Sequence, residues 1–254
     1  MAMNLHGKNF TVTGAASGIG RATAILLAEL GAAGVAISDV NEVGLKETEE
    51  ICLKFGTKIT ARKLDVSDAD AVSSWIADTV SEFGKLDGAA NVAGIAGGDG
   101  TTTVQTIVQR DWDRMMGVNL NGVMYCMRSQ LEHIAKPGGS IVNVASTAGI
   151  HGLPKSAAYS ASKHGVIGLT RSAAGEFGRA GVRINSVLPG PIDTRIFREG
   201  EEKGLFDAKV MGGATQLGRM GRAEEVANVI AFLLSDSSSY VTGARWTVDG
   251  GYTA

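Results

Sequence analysis

A chain of 254 residues, 44% hydrophobic and 20% charged, carries enough apolar surface for one sizeable core, which excludes a disordered or fibrous protein. A net charge of −2 leaves no sequence-independent attraction to nucleic acid or to an anionic membrane, and no apolar run reaches the roughly 18 residues of a membrane span. Glycine is abundant and proline scarce, 35 against 4, so tight turns and close backbone approaches are expected rather than flexible linkers.

Short apolar runs alternate with helix-periodic segments along the whole chain. Strands are expected at 9–14 (NFTVTG), 34–39 (GVAISD), 58–66 (KITARKLDV), 86–94 (LDGAANVAG), 139–146 (GSIVNVAS), 181–190 (GVRINSVLPG) and 244–251 (ARWTVDGG). Amphipathic stretches at 20–31, 43–56 and 70–84 separate the first four. Gly31, Gly56, Gly84 and Gly178 are placed as left-handed helix terminators. Such alternation predicts a doubly wound α/β fold, a seven-stranded parallel sheet with helices on both faces, in a single domain over 1–254. Residues 193–221 interrupt the rhythm beyond a strand end, and are expected to form a substrate-binding lid at the carboxyl edge of the sheet. The opening segment MAMNLHGKNF lacks an apolar stretch followed by a cleavage site, so the expected location is cytoplasmic. The two cysteines, Cys52 and Cys126, permit a disulfide by count, whereas a cytosolic chain implies buried thiols. His6, His133, His151 and His164 show no metal-ligand spacing, and no metal is expected.

The first expected strand runs into TGAASGIG, where Gly14, Gly18 and Gly20 allow a tight turn and bring the backbone N–H groups of Ser17, Gly18, Ile19 and Gly20 toward a diphosphate. Asp39 ends the second strand about 20 residues further on, the position of a ribose-reading carboxylate. A carboxylate there accepts hydrogen bonds from a 2′-hydroxyl and repels a 2′-phosphate, so the expected cofactor is NAD. Tyr159 and Lys163 stand one helical turn apart in YSASK, on one face of a helix, with only small residues between them.

Taken in order, TGAASGIG (13–20), LDV (64–66), NVAG (91–94), VNLNG (118–122), NVAS (143–146), YSASK (159–163), PGPIDT (189–194) and VDGG (248–251) make the chain resemble the short-chain dehydrogenase/reductase family in its compact form, a Rossmann fold. The resemblance implies Tyr159 as general acid/base and Lys163 as the cation that lowers the phenol pKa and binds the nicotinamide ribose. It implies Ser146 as the hydrogen-bond partner of the substrate oxygen, and Asn119 as the helix-kinking residue of a proton exit path. A cation at about 4–6 Å lowers a pKa by roughly 1–3 units, which would bring a phenol toward neutrality. Asp65 and Val66 are implied to contact adenine, and Asn91, Ala93 and Gly94 to form the cofactor edge of the sheet, Asn91 also steadying its centre. Pro189, Gly190, Ile192 and Thr194 are implied to hold the nicotinamide carboxamide.

The implied reaction interconverts a secondary alcohol and a ketone, with hydride passing to or from NAD, and the implied assembly is a homotetramer. Candidate substrate residues are Ile95, Ala148, His151, Ile196, Phe197 and Met211, with Leu205 and Phe206 beside them. They are mostly apolar and contain no arginine cluster, which predicts a hydrophobic or cyclic small molecule. A rival reading keeps the scaffold and replaces redox turnover by dehydration, isomerisation or ring closure; another is a nucleotide-sensing module without turnover. Retention of Ser146, Tyr159 and Lys163 weighs against both.

Overall fold

The computed structural model describes residues 3–96, 101–202, 204 and 207–254. Leu205 and Phe206 lie outside the described residues. The chain begins with β1 (Asn9–Thr13), α1 (Gly18–Glu29), β2 (Gly34–Asp39), α2 (Glu42–Leu53), β3 (Lys58–Lys63), α3 (Ala69–Phe83) and β4 (Gly88–Asn91). It continues with α4 (Gln109–Met116), a five-residue π-helical segment (Gly117–Asn121), α5 (Gly122–His133), β5 (Ser140–Val144), α6 (Ala157–Phe177) and β6 (Arg183–Pro189). The final part comprises β7 (Ile192–Asp193), α7 (Arg195–Glu202), α8 (Ala208–Gly213), β8 (Gly221–Arg222), α9 (Ala223–Leu234) and β9 (Arg245–Val248).

Among the described residues the main sheet has seven strands in the order β3–β2–β1–β4–β5–β6–β9, with every pairing parallel. Strands β1 and β5 are buried along their whole length, as the near-continuous apolar runs require of a sheet covered on both faces. On one face α1 packs on α9, joining Leu27, Ile230 and Leu234 to Val12 and Ile37. On the other, α3 lies against α5, and Met127, Leu131, Ile141 and Ile184 form a second cluster. Each fully buried Leu or Ile contributes about 1.5–3 kcal/mol relative to exposure, so these two clusters fix the sheet in its place between the helices. Strand order reverses between β1 and β4, which opens a crevice at their carboxyl ends.

Three of the four glycine terminators adopt the expected left-handed conformation, with φ of 84° at Gly31, 77° at Gly56 and 78° at Gly84. Gly178 does not. The chain there continues as a 3-10 turn through Ala180, and Gly181, at φ 78°, reverses it. The strands are shorter than their apolar runs, because residues such as Leu64–Val66 and Val92–Gly94 have already left the ladder to form the crevice rim. Cys52 and Cys126 are free and buried in α2 and α5; burial pushes their thiols up to about 11 and about 12.

Candidate active site

The turn after β1 is built by glycines that no other residue could replace. Gly14 has φ 69°, and a Cβ on it would lie 2.8 Å from the Ala93 backbone. A Cβ on Gly20 would strike the Gly14 carbonyl. Thr13 Oγ1 accepts from the N–H groups of Val92 and Ala93, at 3.0 and 3.1 Å, and so draws the loop after β4 onto this turn. Ser17 is the N-cap of α1 yet makes no side-chain cap bond, and the first turn carries no acidic residue. Its amides therefore face the crevice without a local anion. Asp39, at the end of β2, accepts from Ala16 N and from Asn41 N, both at 3.0 Å, which fixes the carboxylate beside the turn. Arg21 is committed elsewhere: its Nη2 donates to the Ala16 and Gly44 carbonyls and to Glu47.

Ser146 follows β5 in an extended conformation, and its Oγ accepts from Ala148 N at 3.1 Å. Tyr159, in the first turn of α6, is half-buried. Burial pushes its phenol up, and a hydrogen bond with the Ser146 hydroxyl opposes that rise. Lys163 is buried behind them, its Nζ 5.7 Å from the centre of the Tyr159 ring and donating to the Val144 carbonyl at 3.0 Å. Burial lowers its ammonium to about 8. The expected lowering of the phenol by Lys163 is thus not the dominant effect in the protein alone. Burial is the largest influence on both groups, raising the phenol and lowering the ammonium.

Asn119 lies in the π-helical segment, fully buried. Its Oδ1 accepts from Ile95 N at 2.8 Å, and its Nδ2 donates to Ile95 O at 2.9 Å and to Met115 Sδ at 3.0 Å. The side chain thereby clamps the loop after β4 to the helix, and the widened turn leaves the backbone free of regular α-helical pairing. A Cβ on Gly94 would stand 3.2 Å from Asn119 Oδ1 and 3.5 Å from Lys163 Nζ, so Asn119, Gly94 and Lys163 converge at one point. The small residues around Tyr159 serve packing as well: Ser162 Oγ donates to Tyr159 O, and a Cβ on Gly165 would meet Leu120 at 2.9 Å.

The remaining expected residues divide clearly. Asp65 is exposed and its carboxylate accepts from Ser67, while Val66 is buried. The Asn91 side chain turns into the protein, donating to Asn143 Oδ1 at 2.8 Å and to Gln130 Oε1 at 3.0 Å, so only its backbone lies at the crevice. Gln130 returns a bond to Asn91 and reaches Thr11, and Asn143 donates to Thr170. The NVAG motif pointed to Asn91 as the residue that steadies the sheet, but sequence reasoning missed its partners Gln130, Asn143, Thr11 and Thr170. Pro189 ends β6, and the Gly190 backbone lies against Asp249. Ile192 is buried in the core, and Thr194 Cγ2 would lie 3.3 Å from a Cβ on Gly18, bringing this loop over the glycine turn. Ile95, His151, Phe197 and Met211 are partly buried, Ala148 is buried, and Ile196 is exposed. The segment 193–221 is tied at its base by β7 pairing with β8. A further residue that the motifs did not indicate is Tyr252, whose ring lies 6.2 Å from that of His151.

The family model described as enoyl-(acyl carrier protein) reductase matches residues 14–253. A short-chain dehydrogenase/reductase ABA4 of Pyricularia oryzae is 44% identical over 251 residues, covering 98% of this chain and 93% of the relative. The chain is a short-chain dehydrogenase/reductase. A cyclohexanol dehydrogenase of an Acinetobacter species is 43% identical over 256 residues, spanning 100% of this chain and 98% of that protein. Among solved structures, levodione reductase superposes with a TM-score of 0.91 at 33% identity, covering 98% of both chains.

Short-chain dehydrogenase/reductases work with a nicotinamide dinucleotide. The residues present fit such a group. The glycine turn is a cradle that Cβ atoms would fill, the start of α1 offers uncapped amides, and Asp39 stands at the neighbouring strand end. Clefts open beside the strand ends among the described residues. One joins Gly18, Arg21, Thr194 and Arg198 beside the glycine turn. Another is lined by Gln216, Arg219 and Asp249.

Proposed function

We propose that this short-chain dehydrogenase/reductase interconverts a secondary alcohol and a ketone on an apolar, cyclic small molecule, with NAD as its cofactor and Tyr159 as the proton-transfer group. The observation that carries the proposal is the hydrogen-bonded Ser146–Tyr159 pair, backed by buried Lys163 and adjoining the glycine turn through Gly94 and Ala93. Asp39 supports NAD over NADP, since a 2′-phosphate would meet a carboxylate held by two backbone amides. The name of the cyclohexanol dehydrogenase supports a cyclic substrate.

Gly14, Gly18, Ile19 and Gly20 would hold the diphosphate, Asp39 the adenosine ribose, Asp65 and Val66 the adenine, and Lys163, Ile192 and Thr194 the nicotinamide half. When bound, NAD supplies the hydride acceptor. In alcohol oxidation Ser146 Oγ donates a hydrogen bond to the substrate oxygen, and Tyr159, acting as the phenolate, accepts the alcohol proton at Oη. Because burial raises the phenol, Tyr159 holds that proton firmly in the reverse direction, where it donates to the ketone oxygen. Lys163 Nζ, with its ammonium near 8, can hold or release a proton close to neutral pH and passes it toward the Asn119 kink. The segment 193–221 would cover the substrate with Phe197 and Met211, and Ala148 with His151 would border it from the opposite side.

The test is formation of reduced nicotinamide from NAD+ with cyclohexanol and with acyclic secondary alcohols. We expect turnover with the cyclic alcohol and a preference for NAD+ over NADP+. Failure to exchange hydride with any member of a broad alcohol and ketone panel would refute the reading.

A further inference from the structure

The residues that follow β9, 249–254, form a compact turn. Asp249 organises it: its Oδ1 accepts from Gly251 N at 3.0 Å, and its Oδ2 from Thr253 N at 3.1 Å and Thr253 Oγ1 at 2.6 Å. This turn touches each of three loops that converge on the site. A Cβ on Gly190 would come within 2.6 Å of Asp249 Cβ, and Gly190 N donates to Val248 O, so the turn adjoins the Pro189–Thr194 loop. Leu217 N donates to Gly250 O at 3.1 Å, which ties it to the base of the segment 193–221. The third contact is between aromatic rings: Tyr252 meets His151 at 6.2 Å with planes inclined by 51°.

His151 belongs to the loop that joins Ser146 to Tyr159, and both ends of that loop are groups that hold the substrate oxygen. The loop is folded back on itself, with Ile150 N and His151 N both donating to Thr147 O and Leu153 N donating to Ser160 Oγ. Tyr252 and His151 are each half-buried, so each presents part of a ring outward. We infer that Tyr252, held by the Asp249 turn and backed by His151, forms the outer wall of the alcohol pocket and sets the size of the ring that the enzyme accepts. The inference rests on the functional reading above. A tilted aromatic pair is worth about 0.5–1.5 kcal/mol beyond its area, enough to keep such a wall in place. One methylene against an apolar wall changes specificity by roughly 10–200-fold, so replacing the ring should change the preferred substrate rather than the chemistry.

The experiment compares cyclopentanol, cyclohexanol and cyclooctanol on the full chain and on Tyr252→Ala, Tyr252→Phe and Tyr252→Trp, with NAD+ affinity and unfolding midpoint measured on each. For Tyr252→Ala we expect the cyclooctanol-to-cyclohexanol ratio of kcat/KM to rise about tenfold, with NAD+ affinity unchanged. Tyr252→Phe should keep the wild-type ratio, and Tyr252→Trp should shift preference toward cyclopentanol. If Tyr252→Ala fails to fold, the Trp variant decides. Turnover by wild type with the same ring preference in the folded variants would overturn the inference alone. No turnover by wild type on any of the three alcohols would overturn the functional reading and this inference with it.

Discussion

Replacing Lys163 by methionine should stabilise the cofactor-free protein at neutral pH while abolishing turnover. The amine is 4% exposed, and burial lowers its ammonium from an ordinary 10.5 to about 8. At about 1.4 kcal/mol for each pH unit, keeping that proton in the folded state costs about 3 kcal/mol below pH 8. The sign follows from proton binding: between about 8 and 10.5 the unfolded chain binds more protons than the folded one, so wild-type stability rises with pH across that window. The thioether side chain of Lys163→Met would fill similar volume without charge and would forgo the Nζ bond to Val144 O, a loss of about 1 kcal/mol. Lys163→Met should therefore be about 2 kcal/mol more stable at pH 7, or roughly 4–8 °C in midpoint for a chain of this size. The advantage should close to near zero by pH 10. Urea unfolding of the cofactor-free protein at both pH values measures it. A variant less stable than wild type at pH 7, or a gap that does not change with pH, would refute the reasoning.

Asp39→Ala should narrow the preference for NAD+ over NADP+ by about 10- to 100-fold in directly measured dissociation constants, because a partly exposed charge pair a few Å apart is worth about 1–3 kcal/mol; an unchanged ratio would show that Asp39 does not read the ribose. Asn143→Ala should cost about 2–4 kcal/mol in urea unfolding, since Asn91 Nδ2 and Thr170 Oγ1 each lose one of two buried hydrogen bonds and the amide leaves a cavity. A loss under about 1 kcal/mol would mean that the chain of side chains from Thr11 to Thr170 repairs itself around the gap.

The inner strands β1, β2, β4, β5 and β6 were legible in the sequence because each lies in a short run bounded by a glycine or a polar turn and is buried on both faces, whereas the edge strands β3 and β9 are largely exposed and carry a weaker signal. The turn after β1 was legible for a related reason: the positions of Gly14 and Gly20, and of Asp39 at the end of β2, are fixed by backbone geometry, which acts through sequence spacing. The electrostatics of the proton-transfer pair were less so. The position of Lys163 over the Tyr159 ring, and the dominance of burial over its charge, depend on where the Val144 carbonyl lies, and no spacing encodes that. Gly178 misled because the final turn of α6 tightened into a 3-10 turn, moving the reversal to Gly181. The pairing of Asn91 with Gln130 and Asn143, and of His151 with Tyr252, joins residues far apart in the chain, and only the packed fold brings them together.

The most direct measurement is single-turnover hydride transfer by Tyr159→Phe with NAD+ and cyclohexanol, set beside NAD+ affinity of the same variant. Loss of one phenolic oxygen should slow the step by about 10²–10⁴-fold with affinity within about twofold. A rate within about tenfold of wild type, with the dinucleotide bound normally, would contradict a role for the Tyr159 hydroxyl in moving the proton.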